Sequence, residues 1–321
     1  NGTTGDDIID GWYHNNIIYG FGGHDIIIGA GGNDVIDAGD GNDVVITGGG
    51  NDTITGLGGD DIITGGGGHD TIDAGDGNDT VSTDGGSDTV YAGSGNDTIT
   101  DSGGTNTIYG GDGNDTVTTT GNNTVDGGSG DDVITASGYD YWAGSWYYGT
   151  YRVVSTNSLS GGEGSDTLTA LGSGYNTFDG GLGNDAIVGA GGEDTYRFDR
   201  GDGTDTVRDT GGTDSVRFGA GITGADLTPF KQGDDLVIRI NDPADPAATD
   251  QLTLQRWYLG GQYRIENFAF ADGTGVTGDA LHQIAAILTG TAGNDTLTGW
   301  GDNNTITGLG GDDIITGGGG H

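Results

Sequence analysis

The strongest constraint on this chain is a nine-residue period that runs from Gly29 to Ile134. Successive units read GAGGNDVID, AGDGNDVVI, TGGGNDTIT and GLGGDDIIT, so an aspartate returns in the same phase. These aspartates are Asp34, Asp43, Asp52, Asp61, Asp70, Asp79, Asp88 and Asp97. A branched aliphatic residue follows two positions after each: Ile36, Val45, Ile54, Ile63, Ile72, Val81, Val90 and Ile99. So short and regular a repeat predicts a solenoid of stacked coils.

Each unit combines a glycine-rich loop with a short strand. Glycine tolerates positive φ, so the loop can curl tightly and aim its carbonyl groups inward. Carbonyl and carboxylate oxygens are the ligands that calcium takes. The strand alternates its side chains, which places the aliphatic residue inside and its neighbours outside. We expect a thin Ile/Val core that cannot offset the chain entropy of so many glycines without metal.

A disordered acidic linker rich in Gly and Asp is the simplest alternative. Low complexity alone does not hold an aliphatic residue in one phase over so many units. The pattern therefore favours a folded coil.

The units match the form G-G-x-G-x-D-x-U-x, where U is a large aliphatic residue. In this the chain resembles the RTX (repeats-in-toxin) haemolysin-type proteins. The resemblance implies an all-β fold, a right-handed parallel β-roll in which two nonapeptides make one coil turn. It also implies that each calcium ion sits between the loops of repeats i and i+2. Relatives of this family leave the cell unfolded through a type I secretion channel and fold outside on calcium, where binding energy becomes folding energy.

The repeat aspartates are the candidate ligands, and they would hold about ten or more calcium ions. They are Asp7, Asp25, Asp34, Asp43, Asp52, Asp61, Asp70, Asp79, Asp88, Asp97, Asp115, Asp132, Asp166, Asp185, Asp194, Asp205, Asp214, Asp295 and Asp313. Pairing i with i+2 divides them into two columns. The column from Asp7 through Asp132 is complete, whereas the other has Asn16, Asn106 and Asn123 in place of aspartate. Because an amide lacks the charge, we expect a weak or absent ion there.

Composition sets the class of protein. The chain has 321 residues, 74 glycines and a net charge of −40, which argues against nucleic acid and anionic membranes as partners. It has no cysteine, so metal would replace disulfides as the staple of an extracellular protein. No apolar run approaches the ~20 residues that span a bilayer, so we expect no membrane insertion. There is no methionine and no signal peptide, so we expect a piece of a longer chain.

Changes in the period predict five segments: a calcium β-roll at 1–138, an aromatic insertion or cap at 139–160, a second β-roll segment at 161–216, an antiparallel β-region with a short helix at 217–289, and the start of a further roll at 290–321. The insertion carries Tyr139, Tyr141, Trp142, Trp146, Tyr147, Tyr148 and Tyr151. These rings could cover an open core, stack on sugars or fill a groove of a partner.

Residues 217–289 lose the nine-residue period. Alternating stretches at 235–240, 251–259 and 263–270 predict strands, and they resemble the small antiparallel region that often follows RTX arrays. Trp257, Tyr258, Phe268 and Phe270 would supply a core that needs no metal. Residues 278–288 predict one amphipathic helix with Thr277 as its N-cap.

The chain also repeats on a larger scale. Residues from Gly290 align without gaps with residues from Gly2 at an offset of 288, and Trp300 and Asn304 fall on Trp12 and Asn16. The alignment predicts a tandem array of modules that stack head to tail.

One outward face of the roll is expected to lack charge. The outward strand positions of the complete column include Ile26, Ile28, Val44, Ile46 and Ile62, then mostly threonines. An exposed uncharged strip of this size on so acidic a protein is expected to contact another surface. It could pack on another part of the chain, associate with a neighbouring copy, or order water or ice through its threonines.

No catalytic constellation, zinc spacing or phosphate-binding loop is present, so we expect no enzyme activity. The pattern favours a calcium-binding structural module of a large extracellular or bacterial cell-surface protein, of the surface-layer, filament or adhesin type, whose neighbouring copies self-associate. The alternatives are the stabilising tail of a secreted hydrolase or toxin, and an adhesin module that binds cell-surface glycan through the aromatic insertion.

Overall fold

The computed structural model describes residues 1–145 and 149–319, and it is an all-β parallel solenoid with a small antiparallel region and one short α-helix. Successive strands along the roll alternate between two sheets, so two consecutive nonapeptides form the two sides of one coil. The fold class predicted from the period is confirmed. None of the helices in the described residues has the length and apolarity of a membrane span.

The strands are numbered in chain order. Within the described residues, the first sheet has 15 strands: β1 (Ile8–Asp10), β3 (Ile26–Ile28), β5 (Val44–Ile46), β7 (Ile62–Thr64), β10 (Thr80–Gly86), β12 (Thr98–Gly104), β14 (Thr116–Thr120), β16 (Val133–Ser137), β20 (Thr167–Leu171), β22 (Ala186–Val188), β24 (Thr204–Arg208), β28 (Gln251–Leu254), β27 (Asp235–Ile240) and β26 (Leu227–Gln232), with β8 (Gly67–Gly68) beside β10. The second has 13: β2 (Ile17–Tyr19), β4 (Val35–Asp40), β6 (Thr53–Gly58), β9 (Thr71–Asp76), β11 (Thr89–Ser94), β13 (Thr107–Asp112), β15 (Thr124–Ser129), β19 (Thr156–Gly164), β21 (Tyr175–Gly183), β23 (Thr195–Phe198), β25 (Ser215–Phe218), β29 (Asn267–Phe270) and β30 (Gly275–Thr277).

The core is a single file of aliphatic side chains between the two sheets. Ile27 pairs in register with Val45, and Val45 pairs with Ile63, so like residues stack from coil to coil. The eight aliphatic residues predicted to point inward are all at most 1% exposed, which confirms the inward phase. Toward the C-terminal end the file becomes aromatic, with Phe178 and Tyr196 stacked at 5.2 Å between ring centroids.

The aromatic insertion leaves the roll unbroken. It contributes an antiparallel pair, β17 (Asp140–Ser145) and β18 (Gly149–Val154). On either side of it β16 pairs directly with β20, and β15 pairs with β19. Trp146, Tyr147 and Tyr148 lie outside the described residues, so a cap or sugar-stacking role for the insertion stays a prediction.

The antiparallel region continues both sheets of the roll. Strand β28 pairs parallel with β24 and antiparallel with β27, while β29 pairs parallel with β25. Trp257, Phe268 and Phe270 are buried and Tyr258 is partly buried, as the sequence predicted. The division of the chain into five segments stays a prediction.

The one α-helix in the described part of the chain, α1 (Gly278–Ala285), is capped as predicted, because the Thr277 hydroxyl accepts a 3.2 Å hydrogen bond from Ala280 N. The predicted end at Leu288 is wrong. Residues Ile287–Thr289 instead form β31, which pairs with β33 (Thr305–Thr307). The next coil pairs β32 (Thr296–Thr298) with β34 (Ile314–Thr316), and a 3-10 turn covers Gly261–Tyr263.

The uncharged strip is open to solvent in the described part of the chain. Ile26 is 40% exposed, Ile62 51% and Val133 43%. The alternative in which another part of this chain packs over the strip therefore finds no support among the described residues.

Stacking brings loop backbones so close that some glycines admit no side chain. Gly66 has φ of 85°, and an added Cβ would collide with the Gly48 carbonyl oxygen one coil away. Its neighbour Gly67 has nothing within 4 Å of an added Cβ. We predict that Gly66→Ala lowers the free energy of unfolding of the calcium-saturated chain by more than the ~1–2 kcal/mol of a left-handed alanine. Gly67→Ala is the matched control in urea unfolding, and equal losses for the two variants would contradict the prediction.

Candidate metal centre

The repeat aspartates form two continuous hydrogen-bonded columns. The main-chain N–H of each aspartate donates to Oδ1 of its counterpart one coil later: Asp25 N to Asp43 Oδ1 and Asp43 N to Asp61 Oδ1 are both 2.7 Å. The first column runs without a break from Asp7 through Asp132 to Asp166, Asp185 and Asp205. Every coil therefore holds one carboxylate oxygen at a fixed position.

The second oxygen of these carboxylates is buried and has no hydrogen-bond partner among the described residues. This holds for Oδ2 of Asp25, Asp34, Asp43, Asp52, Asp61, Asp70, Asp79, Asp88, Asp97, Asp115, Asp132, Asp166, Asp185, Asp194 and Asp214. A buried carboxylate oxygen without a donor is costly unless a cation offsets its charge. The same atom is left unpaired in coil after coil, so it marks a site and not a local defect.

Glycine opens space beside this oxygen. The residue five positions before the aspartate is often Gly, and an added Cβ at Gly65 would lie 2.7 Å from Asp70 Oδ2. An added Cβ at Gly20 would lie 2.5 Å from Asp25 Oδ2. The free oxygens, the backbone carbonyl groups of the loops and this space fit a hard divalent cation such as Ca²⁺. Bound there, calcium would supply the positive charge that the columns lack.

Burial raises the pKa of many of these groups, and neighbouring aspartates add to the shift. The pKa rises to about 7 for Asp61, Asp132 and Asp194, and to about 6 for Asp70, Asp79, Asp115 and Asp185. It rises to about 8 for Asp205 and Asp214. The metal-free fold therefore favours protonated carboxyls, and calcium must compete with those protons.

The asparagine positions replace the cation with a hydrogen bond. Asn106 Nδ2 donates to Asn123 Oδ1 at 3.1 Å, and Asn176 Nδ2 donates to Asp194 Oδ1 at 2.9 Å. Asn123 Nδ2 is buried without a partner, but it is a donor and offers a cation nothing to bind. These hydrogen bonds fit the prediction of a weak or absent ion at the asparagine positions. The prediction of a shorter central row of calcium in the second column stays a prediction.

The outermost aspartates differ from the rest. Oδ2 of Asp7 accepts a 2.6 Å hydrogen bond from Thr3 N, and Oδ2 of Asp295 accepts one of 2.6 Å from Thr291 N. Asp295 N also donates to Asp313 Oδ1 at 2.9 Å, which reproduces the column of the main roll. Asp7 and Asp295 therefore lie in phase, but their second oxygens are already bonded.

Two members of the second column were missed by sequence reasoning. Asn123 N donates to Asn157 Oδ1 at 3.0 Å, and Asp214 N donates to Glu266 Oε2 at 2.8 Å. Asn157 lies two positions before the buried Leu159, and Glu266 lies two positions before the buried Phe268. This is the spacing between each repeat aspartate and its aliphatic residue. A search that accepted Asn or Glu at the ladder position would have found both.

We predict that Asp61→Asn raises the calcium midpoint for folding by roughly tenfold or more, because it removes the charge of one column ligand but keeps the Oδ1 acceptor. Asp60→Asn is the matched control, since Asp60 lies next to it on the exposed side of the loop. Far-ultraviolet dichroism during calcium titration measures the midpoint. Equal midpoints for the two variants would show that the columns do not bind metal.

Stability without calcium should fall as pH rises. The raised pKa values mean that the folded state binds more protons than the unfolded state between their usual value near 4 and about 8. We expect more β signal in calcium-free buffer at pH 5 than at pH 8. With calcium the direction reverses, and the midpoint concentration should fall from pH 5 to pH 8. A metal-free fold that gains stability over this interval would count against buried, unpaired carboxylates.

Comparison with known families agrees with this geometry. The model of the RTX calcium-binding nonapeptide repeat matches residues 1–138, 155–196 and 289–321, which is more than half of the chain. The haemolysin-type calcium binding protein related domain matches residues 235–280. No curated protein gives a significant match. The chain belongs to the RTX haemolysin-type family of calcium-binding nonapeptide repeat proteins.

Proposed function

We propose that this chain is a structural module of a large secreted or cell-surface protein, of the surface-layer, filament or adhesin type, in which copies join head to tail and fold on extracellular calcium. The observation that carries the proposal is the junction near the C-terminus. There the first coils of a second roll are built directly onto the antiparallel region that ends the first.

The backbone of the junction is continuous with the preceding helix. Strand β31 follows α1 and pairs parallel with β33 of the new roll. The carbonyl oxygen of Ala286, the C-cap of α1, accepts a 3.0 Å hydrogen bond from Thr305 N. The end of one module thus supplies the first strand to which the next module adds.

Side-chain contacts also hold the two sides of this junction together. The rings of Trp300 and Tyr258 meet edge to face at 5.9 Å, and Lys231 Nζ lies 4.0 Å from the centroid of the Tyr258 ring. His282 links both sides, because its Nδ1 accepts from Trp257 Nε1 at 3.0 Å and its Nε2 lies 3.2 Å from an oxygen of Asp302. Aromatic, cation–π and polar contacts of this kind fix an orientation.

The segment near the N-terminus that aligns with the new roll carries the same kinds of side chain as this junction. Strand β2 aligns with β33 at the 288-residue offset, yet it forms the open edge of its sheet. Trp12, which aligns with Trp300, is 72% exposed, and Ile17 is 66% exposed. Because these residues align with those of the junction around Trp300, the same contacts would join this segment to a preceding copy.

A tandem polypeptide tests the proposal: residues 1–288 followed by residues 1–321. We expect Trp12 of the second copy to occupy the place of Trp300 and to lose solvent exposure, measured by fluorescence quenching with acrylamide. Trp12→Ala in the second copy should speed hydrogen exchange at the junction, whereas the same change in the first copy is the matched control. Small-angle scattering in millimolar calcium should show one extended rod. Two copies that tumble independently would refute head-to-tail joining.

A further inference from the structure

The cationic residues of this chain are confined to one part of it. All nine Lys and Arg residues lie between Arg152 and Arg264, although the net charge is −40. Two of them, Arg197 on β23 and Arg217 on β25, are exposed and pair in register on the outer face of the second sheet. Neighbouring strands lie about 4.8 Å apart, and like charges directly opposite each other destabilise a sheet. Two adjacent guanidinium groups on so acidic a protein indicate a place for an external anion.

The two arginines differ in what they contact. Arg197 Nε lies 3.4 Å from Asp179 Oδ2, so this guanidinium already has a carboxylate one coil away on β21. Arg217 forms no ion pair among the described residues, and its neighbour on β29 is Ala269. The charge of Arg217 is therefore available to an anion, and Arg197 adds to the positive potential beside it.

An open cavity of about 720 Å³ adjoins both arginines, a volume within the range of about 300–1,000 Å³ that is usual for ligand sites. Thr177 and Thr195, in register on β21 and β23, line it with hydroxyl groups. Asp199 lines it as well, and this carboxylate forms no ion pair with any described residue. The cavity thus presents an unpaired cation and an unpaired carboxylate, together with hydroxyl groups that both donate and accept.

The cavity continues along the sheet as a groove. Thr177 and Thr195 also line a second cavity of about 420 Å³, together with Ser158 and Tyr175. Ser158, Thr177 and Thr195 are in register across β19, β21 and β23, so their small side chains form a continuous floor. The longer side chains of Tyr175 and Arg197 rise on either side of that floor, because each lies two positions from a threonine on the same face of its strand. A groove with a floor of hydroxyl groups suits an extended ligand that is itself rich in hydroxyl groups.

We infer that this groove binds an acidic glycan, a saccharide chain that carries carboxylate groups. A sugar carboxylate would accept charge-assisted hydrogen bonds from Arg217, while sugar hydroxyl groups would donate to Asp199 and exchange hydrogen bonds with the threonines of the floor. An acidic peptide would supply the carboxylate without the hydroxyl groups that match Asp199. The excess of acid on the rest of the chain repels such a ligand, which favours binding in this groove. The inference goes beyond head-to-tail joining and does not depend on it.

A hyaluronan hexasaccharide, in which every second sugar is a uronate, is the probe for the full chain in millimolar calcium. Fluorescence polarisation of the labelled saccharide gives its Kd. We expect saturable binding that weakens at least about tenfold when the carboxyl groups of the saccharide are reduced to alcohols. The absence of saturable binding, or equal binding of the reduced saccharide, would overturn the inference. Equally tight binding of a polyglutamate peptide of the same charge would also overturn it, since charge alone would then account for recognition.

Arg217→Gln removes the charge of the unpaired arginine, and we expect it to weaken binding of the hexasaccharide at least about tenfold. Arg239→Gln is the matched control, because Arg239 is also an exposed arginine on a strand and its substitution changes the net charge equally. Dichroism in calcium confirms that both variants fold. If Arg217→Gln does not fold, the comparison of the two saccharides on the wild-type chain decides the question. Equal affinities of the two folded variants would overturn the inference, because bound calcium or overall charge would then hold the saccharide.

Discussion

The structure depends on one interaction that the polypeptide cannot complete alone, the pairing of a buried carboxylate oxygen with a cation. In each regular coil Oδ1 of the aspartate is bonded to a backbone N–H, while Oδ2 is enclosed without a donor. Burial raises the pKa of carboxyls such as Asp61, repulsion along the column adds to the rise, and both oppose stacking of the ionised coils. Bound calcium would turn the electrostatic energy between neighbouring coils from repulsion into attraction, because each ion would bridge carboxylates of two coils. The net charge of −40 is thus consistent with a fold that binds many calcium ions.

The two sides of the roll use this interaction to different extents. The first column keeps a carboxylate in every coil from Asp25 to Asp205, whereas the second passes through Asn106, Asn123, Asn157 and Asn176. Amide side chains in that stretch bond to one another, which holds the coils together without charge. Toward the C-terminal end the core widens from Ile and Val to Phe178, Tyr196 and then to the aromatic cluster around Phe268. The main source of stability therefore changes along the chain, from the metal-binding columns of the regular coils to apolar packing near the C-terminal end.

This change from metal-binding coils to apolar packing also explains why a new roll can begin after α1. A first coil has no neighbour on one side, so its loops and strand edge lack partners. The region around Trp257 is a metal-independent surface that is already folded, and β31 extends from it as a template for β33. In this chain the coils that end near Asp214 are thus followed by a segment that packs through buried apolar side chains.

Much of this could be predicted from the sequence, because the period ties local chemistry directly to position. A residue repeated every nine positions must stack on its equivalent, so the inward phase of Ile54, the two columns, and the substitutions at Asn16 and Asn106 follow from spacing alone. The capped helix after Thr277 was equally local. Tertiary structure decided the contacts between segments of different period. One is the end of α1 at Ala285, because the strand that begins at Ile287 pairs with the next roll, and another is the place of Glu266 in the second column. The meeting of Asp199 with Arg197 and Arg217 at one cavity belongs to the same class, because no sequence spacing encodes which side chains converge when irregular coils close on each other.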